Sequence, residues 1–318
     1  MKDYENLDDL FDFSKSEKNI IQNAKRKSYM RMTGVSVLVS VLIVVLLILL
    51  KLQITPFLLN KELAAKEAYY EVYGANTYLS PWDEQVKVIG STAVATQYKL
   101  LNGRPVFKRE IALDSTPYET YIQPNPNKAY TYYGQNVMNF YHPQIAYDSV
   151  ADDGSSLSNM PDSKLIEMGI SFDKAYTVDE VLKMLPEGAT LHWYWLDTFS
   201  KRDVLNMQKS IQPHAETPAH IFTEDEVVGI STFSNTGEKY ENPLKEFMES
   251  VTFGMRNHGE YKDEMAGIFE SITSNGKMAQ DKIRIIGVVV VGDSKAISKL
   301  SKAPFTRSSS LGAITDSY

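Results

Sequence analysis

The clearest pattern in the chain is a stretch with no polar stripe at all. Thr33 to Leu50 reads TGVSVLVSVLIVVLLILL, 18 residues without a charge. As a helix rising ~1.5 Å per residue it spans roughly 27 Å, close to the hydrocarbon thickness of a bilayer. A buried core helix fits poorly, because globular helices of this length carry a polar face. A cleaved signal peptide also fits poorly: 32 residues precede the stretch and no A-x-A site follows Leu50 directly. The pattern predicts a retained transmembrane helix over 33–50. Ile285 to Val291 is also apolar, but too short to cross.

Beyond Pro56, Leu58 to Tyr73 (LLNKELAAKEAYYEVY) is rich in Ala, Glu and Lys. It predicts a stalk helix within 51–75, ended by Gly74 and Asn76. Ala93–Leu101 and Val106–Leu113 alternate apolar and polar positions around Asn102-Gly103, the signature of a β-hairpin. Residues 115–147 are rich in Tyr, Asn and Pro, with weak periodicity. Asp148 to Ser163 (DSVADDGSSLSNMPDS) has the composition of a linker. These readings delimit a β-rich subdomain over 76–155 and an α/β C-terminal domain over 163–318.

The C-terminal part is more legible. Leu165–Phe172 predicts a strand, and Thr177-Val-Asp-Glu180 is a capping box opening a helix to about Leu185. Thr190–Leu196 (TLHWYWL) is an aromatic strand. Asn242-Pro243 starts a helix with an apolar stripe of Leu244, Phe247, Met248 and Val251. Tyr261–Ser274 predicts a second helix, ended by Asn275-Gly276. Lys282–Val291 is apolar on both faces and predicts a central strand. Asp293 or Ser294 caps a short helix before a last strand over Phe305–Thr315. The order strand, cap, helix, strand occurs at 166–196 and again at 284–315, as an internal repeat or as two β-α-β units of one sheet. The expected fold class is α+β, with β-α-β units in the C-terminal half and one N-terminal membrane helix as anchor.

Charge orients that anchor. Lys25, Arg26, Lys27 and Arg31 lie just before the span, and after it only Lys51 is basic until Lys61. The positive-inside rule places residues 1–32 in the cytoplasm and 51–318 outside the plasma membrane. The outer part holds 26 basic and 34 acidic residues. The whole chain of 318 residues has net charge −7, with 43% hydrophobic and 23% charged residues. That composition is globular, and its sign argues against a nucleic-acid partner. Cys is absent, which excludes disulfides, thiolate metal sites and a Cys nucleophile.

Within the inner segment, Leu7, Leu10 and Phe11 fall at i, i+3, i+4 among acidic residues, with Phe13 beyond them. Thirty residues cannot bury a core of their own. The segment is either a tail with a basic membrane anchor or a short element that folds on a partner. The bases Lys25, Arg26, Lys27 and Arg31 suit topology and anionic lipid.

Catalytic constellations are not apparent. His214 and His220 bracket Glu216, but Pro213 and Pro218 forbid the helix that a zinc protease needs. Ser171–Lys174 and Ser274–Lys277 match Ser-x-x-Lys at the rate chance allows, without a Lys-Thr-Gly. Asp152-Asp153 lacks EF-hand spacing. The chain is expected to be no enzyme, with neither cofactor nor metal. Trp193 and Trp195 share one face of their strand; they are either core or the wall of an external ligand groove.

Ile170–Thr198 (ISFDKAYTVDEVLKMLPEGATLHWYWLDT) and Ile285–Tyr318 (IIGVVVVGDSKAISKLSKAPFTRSSSLGAITDSY) resemble the C-terminal external domain of single-pass sigma factor regulators, the anti-sigma factors of Gram-positive bacteria. The inner AKRKSYMRM and the span that follows resemble the N-terminal module of that family. The resemblance implies a membrane-bound negative regulator of an extracytoplasmic-function sigma factor, working with or without a small membrane co-regulator. Residues 1–33 hold no His or Cys, so the cluster of zinc-type anti-sigma domains is missing. So short a segment cannot wrap a sigma factor. Leu7, Leu10, Phe11 and Phe13 are therefore expected to dock into a basic or apolar groove on the partner. The competing reading is an envelope binding module with no transcriptional role, its tail serving only as an anchor.

Overall fold

A computed structural model describes residues 13–316 except 88–89, 116–120, 162, 209, 213–214 and 257–258. Of the described residues, 40% are helical and 33% strand. It divides into two units, Met1–Leu58 and Leu59–Tyr318.

Helix α1 (Phe13–Val72) contains the apolar stretch, with Pro56 inside it. The span and the expected stalk are thus parts of one helical element. Leu38, Leu42, Leu46 and Leu49 are exposed in the first unit, as are their apolar neighbours. In the second unit, Leu59, Leu63, Tyr69, Tyr70 and Val72 of α1 are buried. Gly74 and Asn76 then take positive φ (96° and 52°), which lets the chain reverse where most residues would be strained.

Strands β1 (Thr77–Leu79), β2 (Asp83–Val86), β3 (Ser91–Leu101) and β4 (Arg104–Ala112) form one antiparallel sheet. The expected hairpin is β3–β4. Leu101 faces Arg104 across Asn102 and Gly103, both at positive φ, as a two-residue primed turn requires.

The core of the second unit is a five-stranded antiparallel sheet. Its strands are β5 (Lys164–Tyr176), β6 (Ala189–Leu196), β7 (Gly229–Ser231), β8 (Ile285–Gly292) and β9 (Thr306–Asp316). They lie in the order β7-β6-β8-β5-β9. Every residue of β8 is buried, which is why it reads as apolar on both faces. Helix α2 (Val178–Met184) joins β5 to β6, and α6 (Ser294–Ser301) joins β8 to β9. Each pair is parallel and separated by a strand of the other pair, the split β-α-β arrangement. The repeated sequence pattern is therefore two interleaved β-α-β units of one sheet.

Local signals explain the helix starts. Thr177 and Glu180 satisfy each other's backbone amides in a capping box. Asp293 accepts from the Ala296 amide at 2.7 Å. Asn242 accepts from the Lys245 amide ahead of α4 (Pro243–Arg256). A further helix, α3 (Lys201–Met207), was not expected from the sequence, although its Ser200-x-x-Asp203 box is a readable cap. Helix α5 (Lys262–Ile272) ends before Asn275-Gly276, which turn a small hairpin instead of capping the helix. A Cβ on Gly254 of α4 would approach Met265 of α5 to 2.8 Å, so this glycine lets the two helices close on each other.

Both faces of the sheet are covered. On one, Ile166, Met168, Ile170, Val288 and Val290 pack with residues of α1, α2, α4, α5 and α6. On the other, Trp193, Trp195, Ile286 and Val289 pack with Met138, Phe140 and Phe222.

The expected linker over Asp148–Ser163 is not one. Residues 153–159 form a 3-10 helix, and Ala151 and Leu157 are buried. Ser308 and Ser309 bond the Ala151 carbonyl, and the Leu311 amide donates to Asp153 at 3.0 Å. The polar composition that suggested a linker instead straps this segment along edge strand β9, covering its free backbone groups. Subdomain and C-terminal domain are accordingly parts of one compact unit.

Candidate functional site

The expected partner-binding residues Leu7, Leu10 and Phe11 lie outside the described residues, and Phe13 is the first residue of α1. Lys25, Arg26, Lys27 and Arg31 are exposed on α1 within the two turns before the apolar stretch. The apolar stretch of that helix is unburied, and the helix is long and apolar enough to cross a membrane. Side chains this apolar are stable in bulk only against lipid or another protein.

Trp193 and Trp195 do not form an external groove. They are 1% and 0% exposed. Phe140 lies 6.1 Å from Trp193 and 5.4 Å from Trp195 between ring centres, and Phe222 lies 5.6 Å from Trp195. The segments Asn139–Phe140 and Phe222–Thr223, paired with each other, cover the face that the two indoles share. The strand is aromatic because it fills a core.

At the bulge between Leu191 and Trp193 in this strand, His192 is fully buried. Its ring stacks on Phe233 at 4.6 Å, and Nε2 lies 3.1 Å from the Asn102 side-chain oxygen. Burial lowers its pKa to about 4, so the imidazole is neutral near pH 7. His214 lies outside the described residues, and His220 sits 3.3 Å from Glu226. Among the described residues no group of three His, Asp or Glu side chains could hold a metal ion.

The densest chemistry is a buried ionic cluster that spacing could not reveal. Lys99 of β3 lies 2.9 Å from Glu167 of β5 and 2.6 Å from Glu224. Lys108 of β4 lies 2.8 Å from Glu224 and also pairs with Asp225. Arg109 approaches Asp225 at 3.6 Å, and the Tyr121 hydroxyl donates to the same carboxylate. Asn76 donates to Glu167 at 2.7 Å, and the amides of Ala313 and Met138 donate to Glu167 and Glu224. Three cations thus face three carboxylates with hydrogen bonds filling the remaining lone pairs, the condition under which buried ions are tolerated. Burial alone would raise the Glu224 pKa; Lys108 and Lys99 outweigh it and hold the carboxyl at about 2. Burial opposes the charge of Lys99 as well, and Glu167 and Glu224 more than restore it, raising its pKa. The cluster binds the β3–β4 hairpin to the five-stranded sheet.

Residues 157–313 match the family model described as sigma factor regulator C-terminal. Over these residues the chain carries a domain of the sigma factor regulator C-terminal type. Neither the curated proteins nor the solved structures give a match to the chain. The sigma factor regulator domain contains the whole five-stranded sheet but the last residues of β9, together with α2 to α6. The β3–β4 hairpin lies outside it. Glu167, Glu224 and Asp225 are therefore contributed by the family domain, and Lys99, Lys108 and Arg109 by the preceding chain. The family is a regulatory class, and the match supports a role in regulating a sigma factor.

Proposed function

We propose that this chain is a membrane-anchored negative regulator, of anti-sigma type, acting on an extracytoplasmic-function sigma factor. The observation that carries the reading is one of linkage. A sigma factor regulator domain sits on the same chain as an exposed apolar helix flanked on one side by Lys25, Arg26, Lys27 and Arg31. The asymmetry of charge supports an inner N-terminus and an outer domain. Only residues 1–32 would then share a compartment with the sigma factor. Leu7, Leu10, Phe11 and Phe13 are the apolar set in that segment, interleaved with acids. They would dock on the sigma factor, directly or through a small membrane co-regulator, ordering as they bind.

The test is a double substitution in the full chain, Leu10→Asp with Phe11→Asp, read by transcription from a promoter of the sigma factor. Loss of repression with unchanged membrane level is the expected result. Full repression by the variant would exclude this docking surface.

A further inference from the structure

The apolar surface of α1 does not stop where the expected span stops. Beyond Leu50, the side chains of Leu52, Ile54, Phe57 and Leu58 are all exposed, Phe57 by 70% of its surface. Burial then begins within one residue: Leu58 is 56% exposed and Leu59 3%. Leu59 packs with Leu63 and Ala93 in the second unit. A helix that stands in water as a stalk carries a polar face. No such face runs along residues 51–58. Successive residues turn about 100° round the axis, so Leu52, Ile54, Pro56, Phe57 and Leu58 surround it. Lys51 and Thr55 share one narrow edge, a turn apart, and Gln53 lies apart from them.

Length leads to the same boundary. Thr33–Leu50 rises roughly 27 Å, short of a hydrocarbon layer of about 30 Å, which ends near Gln53 when counted from Thr33. From Thr33 to Asn60 the only charge is Lys51. That longer stretch rises roughly 42 Å, the thickness of a bilayer measured through both headgroup layers, about 40–45 Å. Lys51 falls about 3 Å inside the hydrocarbon boundary, close enough for its stem to lie along apolar chains while its ammonium reaches the headgroups. Phe57 falls about 6 Å outside it, at a depth where apolar side chains of interfacial helices bury themselves. Pro56 has no amide to offer the Leu52 carbonyl. Water of the headgroup layer supplies the donor that hydrocarbon lacks.

We infer that Leu52, Ile54, Phe57 and Leu58 are immersed in the headgroup boundary of the leaflet at the C-terminal end of the span, so that phospholipid covers α1 as far as Leu58. Two observations favour lipid over a second protein. The apolar positions surround the helix, whereas a helix docked on a protein needs only one apolar face. The segment also continues the apolar surface of the span without a break other than Lys51. The inference rests on the membrane-anchored reading. It is independent of the sigma factor and holds for either orientation of the chain.

The chain has no Cys, so a single introduced cysteine can carry a polarity-sensitive nitrobenzoxadiazole probe in the full chain. The labelled protein is placed in phosphatidylcholine nanodiscs, which leave both faces open to the solution. Phe57→Cys and Ile54→Cys are the test positions, and the second serves if the first disturbs insertion. Leu42→Cys is the control inside the span and Asn60→Cys the control beyond it, both at exposed positions of α1. At 54 and 57 the expected result is blue-shifted emission, quenching by lipid with a nitroxide near its headgroup, and quenching by aqueous iodide several times weaker than at 60. Iodide quenching at 54 and 57 equal to that at 60 would overturn the inference. Protection there from both iodide and nitroxide lipid would also overturn it, because it marks a protein contact. A probe at 42 untouched by nitroxide deep in the acyl chains would remove the membrane reading itself, and the inference with it.

Discussion

Lys99 donates to Glu167 at 2.9 Å from a strand outside the sigma factor regulator domain to a strand at its centre, and neither side chain is more than 5% exposed. Removing one partner of such a pair strands the other in a low dielectric, at about 3–5 kcal/mol. Lys99→Met should therefore lower the unfolding free energy of the second unit, measured by denaturant titration, by that amount. Conversion of an exposed cation such as Lys183 to Met should stay within about 0.5 kcal/mol. The pH profile follows from the same cluster. Glu224 has a folded pKa below its unfolded one, so its stabilisation is complete above about pH 4.5 and is lost as pH falls toward about 2. Lys99 has a raised folded pKa, so its share persists until pH rises past its unfolded value of 10.5. The difference in stability between the wild type and Lys99→Met, from unfolding curves measured across pH, should show a plateau between these limits.

His192 places a second, separate limit on the acid side. A base whose pKa burial depresses to about 4 contributes nothing adverse above its unfolded value of 6.5. As pH falls from 6.5 to 4 the unfolded chain takes up a proton that the folded one refuses, worth about 3 kcal/mol. Replacing His192 by Phe keeps the stack on Phe233 and removes the titration. Stability of the wild type should fall faster than that of His192→Phe over this window, and parallel curves would refute the assignment.

Two glycines should respond in opposite directions. A Cβ on Gly229 would lie 2.1 Å from the Trp193 ring and 2.1 Å from the Tyr194 carbonyl, so Gly229→Ala must displace strand β7. A loss of about 3 kcal/mol is expected from such overpacking. Gly267, exposed in α5, has nothing within 4 Å of a new Cβ. Gly267→Ala should stabilise by about 1 kcal/mol through helix propensity. Thermal melts of the two variants compare them directly.

What the sequence made legible was local chemistry. Thr177, Asn242 and Asp293 each announce a helix by a bond to an amide three residues on. Asn102-Gly103 announces its hairpin in the same way. The ionic cluster was invisible because its partners stand 68 to 125 residues apart, and a lone Lys on a strand reads as a solvent-facing position. Trp193 and Trp195 read first as core, with a groove as the alternative that the strand alone left open; the segments that bury them begin more than 25 residues away on either side. Asp148–Ser163 misled because serines and aspartates that satisfy an edge strand have the composition of a linker. Fold class and membrane helix were readable from periodicity, while the link to a sigma factor came from family resemblance. The docking residues Leu7, Leu10 and Phe11 rest on the sequence pattern alone.

The central claim is that the N-terminal segment holds a sigma factor to the membrane. Capture of the detergent-solubilised full chain through a C-terminal tag, repeated after deletion of residues 2–20, tests it most directly. The account predicts a sigma factor, with or without a small membrane protein, that accompanies the full chain and is absent with the deletion. A set of envelope proteins that is the same in both captures, with no sigma factor, would contradict it and leave the outer unit as an envelope binding module.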